Sequence, residues 1–354
     1  MDAFTYNGQP GRVIFGSGTV AQLRAEVERL GLQRVLVLST HERAGLAHRL
    51  AETIAERTVG VFTNAAMHTP TAVTDQAMEI VRTRNVDGLV AVGGGSTTGL
   101  GKAIALRTDL PQIVVPTTYA GSEMTPILGE TKDGIKTTRR DARILPETVI
   151  YDVQLTLSLP RGLSGTSGIN AIAHAIEASY AQDRNPIISV IAVEGVRALA
   201  QALPDIARDP SDGAARWNAL YGAFLCGLCL GSVGMALHHK LCHVLGGAFD
   251  LPHSETHTVI LPYAIAYNAP CCEAALAPFG AALGTADLAR FIYDLARSVG
   301  APRSLEEIGM PAGAIDRATD LALANPYWNP RPLEREGIRA LLSDAYSGNP
   351  PAKA

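Results

Sequence analysis

The 354 residues suffice for two domains of ordinary size, and a hydrophobic share of 47% provides ample core. A net charge of −4, with no basic stripe, argues against a nucleic-acid partner. No uninterrupted apolar run in the sequence reaches the roughly 20 residues that cross a bilayer, so no membrane partner is expected.

The N-terminal stretch Met1-Asp2-Ala3-Phe4-Thr5-Tyr6 lacks a basic region followed by an apolar one, which predicts no signal peptide. The cysteines are Cys226, Cys229, Cys242, Cys271 and Cys272. Their odd number and apolar neighbours suit a reducing compartment, and a cytoplasmic location is expected. Cys226 and Cys229 form a Cys-x-x-Cys without a second pair, so they are read as buried small hydrophobes.

In chain order, short β-branched runs alternate with helical stretches. Strands are predicted at residues 12–15, 34–39, 59–63, 88–92, 112–116 and 149–152. Helices are predicted between them at 20–30, 44–56, 71–84 and 98–107. Near-continuous apolar strands of this kind imply a parallel sheet covered on both faces. The polar segment 131–140 interrupts the pattern, with Asp133-Gly134 as a hairpin signal. Beyond Leu157 the segments become Ala/Leu-rich, with helices predicted at 165–180, 187–203, 214–230, 238–247 and 283–298. Pro204, Pro252, Pro262, Pro302 and Pro311 are expected to mark helix ends. The chain thus reads as an α/β domain over 1–157 and an all-α domain over 158–354, with a frayed tail from Gly348 to Ala354.

The strand ending at Val92 runs into Gly93-Gly94-Gly95-Ser96-Thr97-Thr98-Gly99-Leu100-Gly101-Lys102. A strand, glycine turn and helix let backbone N–H groups approach a pyrophosphate at a helix N-terminus. A tight turn without ligand would use the same glycines. A second strand end, carrying Thr117, Thr118 and Ser122, is also rich in hydroxyls, and ligands of parallel sheets bind at such ends. Ser39 and Thr40 end another strand; the first acid there is Glu42, so neither NADH nor NADPH is excluded.

Five of the nine histidines, His238, His239, His243, His253 and His257, lie close together in the second half, and His174 precedes them. Asn170 and His174 are four apart on a predicted helix, as are His239 and His243, so each pair shares a face. Such a convergence suits either a transition metal or proton transfer near neutral pH. His238 and His257 are equally readable as exposed or supporting groups.

At this point the sequence resembles the iron-containing alcohol dehydrogenase family. The resemblance runs from Phe15-Gly16-Ser17-Gly18 through Gly93-Gly94-Gly95-Ser96 and Pro116-Thr117-Thr118. It continues through Gly168, His174 and Glu177 to His239, His243, Gly246 and Pro252-His253. It implies a dehydroquinate synthase-like architecture: an N-terminal NAD(P)-binding α/β domain, an all-α C-terminal catalytic domain, an active site in the cleft between them, and a homodimer. Within the family, the wording of residues 95–103, 119–125 and 237–247, and of Ala66-Met67-His68-Thr69-Pro70, is most similar to the maleylacetate reductases. These reduce the conjugated C=C of maleylacetate to 3-oxoadipate with NADH or NADPH in bacterial degradation of aromatic compounds.

The resemblance also implies roles. His174, His239 and His253 match three histidine metal ligands, and His243 matches a further active-site histidine. Asn170 stands where metal-dependent members have Asp, and Gly99 where many have Asp. Three imidazoles and an amide oxygen bring no formal negative charge to a cation, which disfavours tight Fe²⁺ binding without forbidding Zn²⁺. The maleylacetate reductases are similar in this pattern, and the resemblance implies that a metal is not required. His243 and His253 are expected to supply the acid and stabilise an enolate, with His174 and His239 shaping the pocket. Lys240 is the first candidate for a carboxylate of the small dicarboxylate substrate. His238, Arg139 and Arg140 are further candidates, and Tyr327 and Trp328 could line the pocket. The alternatives are a metal-dependent (Fe or Zn) alcohol or polyol dehydrogenase, a metal-dependent cyclase on the same architecture, and a non-enzymatic binding module.

Overall fold

The computed structural model describes residues 4–6, 8, 11–325 and 327–352. The readings placed on Met1–Ala3, Lys353 and Ala354 lie outside the described residues. The chain divides into two compact units, Gly8–Leu159 and a helical one from Pro160 onward.

The first unit is built on six strands: β1 (Arg12–Gly16), β2 (Val35–Leu38), β3 (Thr58–Phe62), β4 (Gly88–Gly93), β5 (Gln112–Pro116) and, after a hairpin, β8 (Thr148–Asp152). All pair in parallel, in the order β1-β8-β5-β4-β2-β3. The side-chain period of two decides which helix covers which face. Val35, Val37, Val90, Val92, Ile113 and Val115 point to α1 (Leu23–Arg29) and α2 (Ala44–Thr53). Leu36, Leu38 and Leu89 point to α3 (Thr71–Thr83) and α4 (Gly95–Thr108). Both faces are therefore dry, which explains the uninterrupted apolar strands. The start of the predicted helix 20–30 is a 3₁₀ turn, Thr19–Gln22, fixed by Asp152, whose carboxylate accepts the N–H groups of Gly18 at 2.9 Å and Val20 at 3.0 Å. The polar interruption is an antiparallel hairpin of β6 (Ile127–Lys132) and β7 (Ile135–Arg140). Asp133 (φ 51°) and Gly134 (φ 76°) turn it, both left-handed as a type I′ turn requires.

The order places a switch in chain direction between β2 and β4. From β2 the chain moves outward to β3; from β4 it moves the other way to β5. The carboxyl ends of β2 and β4 thus open a crevice, the place where doubly wound sheets bind ligands.

The second unit contains α5 (Arg161–Ser179), α6 (Pro186–Arg208), α7 (Gly213–Ser232), α8 (Leu237–Phe249), α9 (His253–Leu283), α10 (Leu288–Ser298), α11 (Ile315–Leu323) and α12 (Arg335–Ser347). Asn185, Asp212 and Asp287 cap α6, α7 and α10 by accepting N–H groups of the first turns. The backbones of α6 and α7 meet at Gly195 and Gly222, where a Cβ on Gly222 would stand 2.8 Å from the Gly195 carbonyl oxygen.

Two expectations fail here. Proline does not mark helix ends at Pro204 or Pro262: Pro204 lies inside α6, and α9 runs through Pro262, Pro270 and Pro278 for 31 residues. Each proline removes one backbone donor, but burial of α9 along most of its first half outweighs that loss. Residues 283–298 are not one helix, since α9 ends at left-handed Gly284 (φ 68°) and α10 starts only after Asp287. Helices α6 and α9 are also long and apolar enough to cross a membrane by length and composition, although 50% and 61% of their apolar windows are buried inside the protein. Cys226, Cys229, Cys242 and Cys272 are buried, Cys271 is exposed, and all five thiols are free. Burial pushes the Cys229 thiol up to about 12, so the Cys-x-x-Cys is chemically quiet.

Candidate active site

In the α/β unit, Gly93 has φ 156°, and a Cβ there would stand 2.3 Å from Thr97 Oγ1. A Cβ on Gly94 would stand 2.9 Å from Thr118 Cγ2. Only glycine lets β4 pass into α4 this tightly. The Gly94 carbonyl accepts the N–H groups of Thr97 and Thr98, both at 3.1 Å, which leaves the earlier N–H groups of the helix start without intrahelical acceptors. Thr117 N–H donates to the Gly93 carbonyl at 2.9 Å, joining the two strand ends. Thr97 Oγ1 and Thr117 Oγ1 are buried without a hydrogen-bond partner. Free helix N–H groups, bare glycine backbone and unpartnered hydroxyls together fit the phosphates of a dinucleotide.

The second loop of this crevice is held from below by Lys102, which is wholly buried. Its ammonium donates to the carbonyls of Ser122 (2.5 Å) and Ile127 (2.9 Å) and to Thr125 Oγ1 (2.9 Å). Burial pushes Lys102 down to about 7, against the charge of Glu123. Ser39 is also wholly buried, and its hydroxyl donates to the Val92 carbonyl at 2.8 Å, so its side chain ties β2 to β4. Thr40 lies at the strand end, before a 3₁₀ turn at His41–Arg43.

In the helical unit, α5, α8 and α9 bring six histidines together. The His239 ring lies 5.1 Å from His174, 5.2 Å from His238, 5.1 Å from His257 and 6.3 Å from His243 between centroids. His253 lies 4.4 Å from His257. His174, His238, His239 and His257 are buried, whereas His243 and His253 are exposed. Burial holds the imidazoles of His174, His238 and His257 well below the usual histidine range, and neighbouring histidines add to the shift. Those three are neutral at pH 7.

Glu177 organises the cluster. It is wholly buried on α5, one turn beyond His174. Its carboxylate accepts the N–H groups of Ala236 (3.1 Å), His238 (2.8 Å) and His239 (3.2 Å), capping α8, which has no side-chain cap of its own. It also accepts from His239 Nδ1 at 2.6 Å, which leaves the His239 Nε2 lone pair free. Asn170, His174 and Glu177 are spaced i, i+4, i+7, on one face of one helix, so spacing sets Glu177 beside the histidines, but its part in capping α8 follows only from the fold.

Asn170 Oδ1, His174 Nδ1 and His239 Nε2 are buried and unpartnered. With His253 they fit a divalent cation in donor type, although without any anionic ligand. A different trio, His238, Cys242 and His257, brings ligand atoms within 4.8 Å of one another. Its atoms satisfy each other: His238 Nε2 and His257 Nδ1 share a hydrogen bond at 2.9 Å. Burial also raises the Cys242 thiol well above its ordinary value, which disfavours the thiolate a metal needs.

Lys240 lies beside the cluster with its ammonium 5.4 Å from the centroid of the Tyr327 ring. Trp328 faces a separate hollow with Tyr180, Arg184 and Cys272. Arg139 and Arg140 are exposed on β7 of the α/β unit.

Comparison with known proteins accounts for nearly the whole chain. Residues 10–153 match the family described as iron-containing alcohol dehydrogenase, and residues 164–346 match its C-terminal region. A maleylacetate reductase of Rhizobium sp. (strain MTP-10005) is 56% identical over 351 residues, covering 99% of this chain and 100% of the relative. A maleylacetate reductase of Sphingobium indicum is 55% identical, covering 99% of each chain. The crystal structure of maleylacetate reductase from Agrobacterium tumefaciens superimposes with a TM-score of 0.96 at 55% identity, covering 99% of this chain and 100% of that one.

Proposed function

The chain belongs to the iron-containing alcohol dehydrogenase family, and from that premise we propose that it is a maleylacetate reductase, reducing the conjugated C=C of maleylacetate to 3-oxoadipate with NAD(P)H. End-to-end similarity to maleylacetate reductases carries this reading.

The glycine turn at Gly93, Gly94, Gly95 and Ser96, with Thr40, Thr117, Thr118 and Ser122, holds the nucleotide. Ser39 serves it indirectly, by fixing the strand end. With no acid at Ser39 or Thr40, a 2′-phosphate meets no fixed repulsion there, so neither NADH nor NADPH is disfavoured at that strand end. Hydride adds to the substrate carbon β to the ketone, next to a carboxylate. The electron pair moves onto the ketone oxygen as an enolate, and a proton then adds to the carbon α to the ketone. His243 and His253, the exposed members of the cluster, donate to the enolate and supply that proton. His174 and His239 shape the pocket as neutral or carboxylate-held rings, and Lys240 pairs with a substrate carboxylate.

A divalent ion held by Asn170, His174, His239 and His253 would supply Lewis-acid polarisation of the ketone oxygen. We propose that it is not required. The donor set brings no formal charge to a cation, and conjugation already activates the carbon that receives hydride. The unpartnered atoms of Asn170, His174 and His239 also leave the alternative of a metal-dependent alcohol dehydrogenase with a physical basis.

The enzyme is proposed to act as a cytoplasmic homodimer. Its five free thiols suit a reducing compartment. Exposed Ile187, Val190 and Trp217 on α6 and α7 offer apolar surface for a second copy.

The test is incubation with maleylacetate and either nucleotide, with the product identified by chromatography. Nucleotide oxidation matched mole for mole by 3-oxoadipate is expected. Turnover of simple aldehydes but not of maleylacetate would overturn the reading.

A further inference from the structure

The segment after α11 is fastened to the helices that carry the histidines. Asn329 and Asn268 of α9 exchange side-chain hydrogen bonds at 2.8 and 3.1 Å. Asn329 Oδ1 also accepts the N–H of Leu237, the first residue of α8, at 3.3 Å. Further along, Arg331 donates to the Tyr267 carbonyl at 2.9 Å, and its guanidinium stacks 4.3 Å from the Tyr267 ring centroid. This segment is therefore a rigid strap, set in place by α8 and α9.

Tyr327 is carried on that strap, and its hydroxyl oxygen is buried without a hydrogen-bond partner. Such a group is destabilising when left unmet, and a ligand oxygen would satisfy it. The Lys240 ammonium stands over the same ring, and Lys240 forms no ion pair among the described residues. Burial, together with the negative charge of Glu177, raises the Tyr327 phenol, which keeps it an O–H donor throughout the working pH range. A fixed O–H donor and an unneutralised ammonium at one ring are what a carboxylate needs.

We infer that Tyr327 and Lys240 together seat one carboxylate of the substrate, with Tyr327 the residue that selects a dicarboxylate over a simple carbonyl compound. This rests on the reading of the protein as a maleylacetate reductase.

Calorimetric titration with 3-oxoadipate tests it without turnover. Tyr327→Phe should weaken binding about tenfold and leave nucleotide affinity unchanged. Its loss should not add to that of Lys240→Met in the double variant, because both act on one group. Two probes lack one carboxylate or the other, 4-oxopentanoate and 3-oxopentanoate; one should bind parent and Tyr327→Phe equally, and the other should lose affinity. Equal binding of 3-oxoadipate by parent and Tyr327→Phe overturns the inference alone. So do additive losses, or a loss of equal size for both probes. A parent protein that does not bind 3-oxoadipate overturns the functional reading and the inference with it.

Discussion

Glu177 meets the backbone N–H groups of Ala236, His238 and His239 and the Nδ1 of His239 with one carboxylate. Glu177→Gln keeps the shape but weakens charge-assisted bonds and presents a second donor to N–H groups. It should lower stability by about 2–3 kcal/mol in urea unfolding and cut turnover on the order of 10–100-fold, as loss of the group orienting a functional histidine does. The proposed roles of the exposed histidines predict a larger effect. His253→Ala should reduce turnover by roughly 10²–10⁴ without changing nucleotide affinity, and unchanged turnover would remove it from the mechanism. Residue types and i, i+4 spacing made Asn170, His174, His239 and His243 legible as a group. Glu177 escaped because its partners come from α8, far along the chain, and spacing alone cannot show a helix being capped by another helix. The exposure that separates His243 and His253 from the buried rings is likewise a tertiary property.

At the scale of elements, the strands were readable because both faces of the sheet are covered, which demands unbroken apolar runs such as Val35–Leu38 and Gly88–Gly93. The hairpin was readable from Asp133-Gly134, whose left-handed pair few other residues adopt. Helix α9 was not, because proline is a local signal and burial of α9 is not. The turn from β4 to α4 supports a prediction of its own. Gly94→Ala places a Cβ 2.9 Å from Thr118 Cγ2, at the turn proposed to hold the nucleotide. Nucleotide affinity should fall by about tenfold or more, while 3-oxoadipate affinity, proposed to reside in the helical unit, stays unchanged. Equal weakening of both ligands would point to general unfolding.

For the whole molecule, the neutral imidazoles link function to acid stability. Burial keeps His174, His238 and His257 unprotonated in the folded chain, whereas the unfolded chain takes up these protons below about pH 6.5. Folded values lie below unfolded ones, so this stability is fully present above that pH and is lost as pH falls toward the folded values. The slope reaches about 1.4 kcal/mol per pH unit for each imidazole. Urea midpoints of chelator-treated protein should be lower at pH 5.5 than at pH 8; equal midpoints would contradict the assignment of neutral buried rings. The two-part architecture was legible because motifs for nucleotide and histidine chemistry fall in separate halves of the chain, whereas the reaction class rested on the resemblance to the maleylacetate reductases. The pairing of Tyr327 with Lys240 needed the fold.

We propose that this scaffold reduces a conjugated diacid through its histidines, with Asn170 marking a site that does not depend on a metal. Protein dialysed against chelator, with its metal content measured, should oxidise NADH or NADPH on maleylacetate at the rate of untreated protein. Loss of that activity on metal removal, with recovery on adding Fe²⁺ or Zn²⁺, would show that the site works through a bound metal despite Asn170.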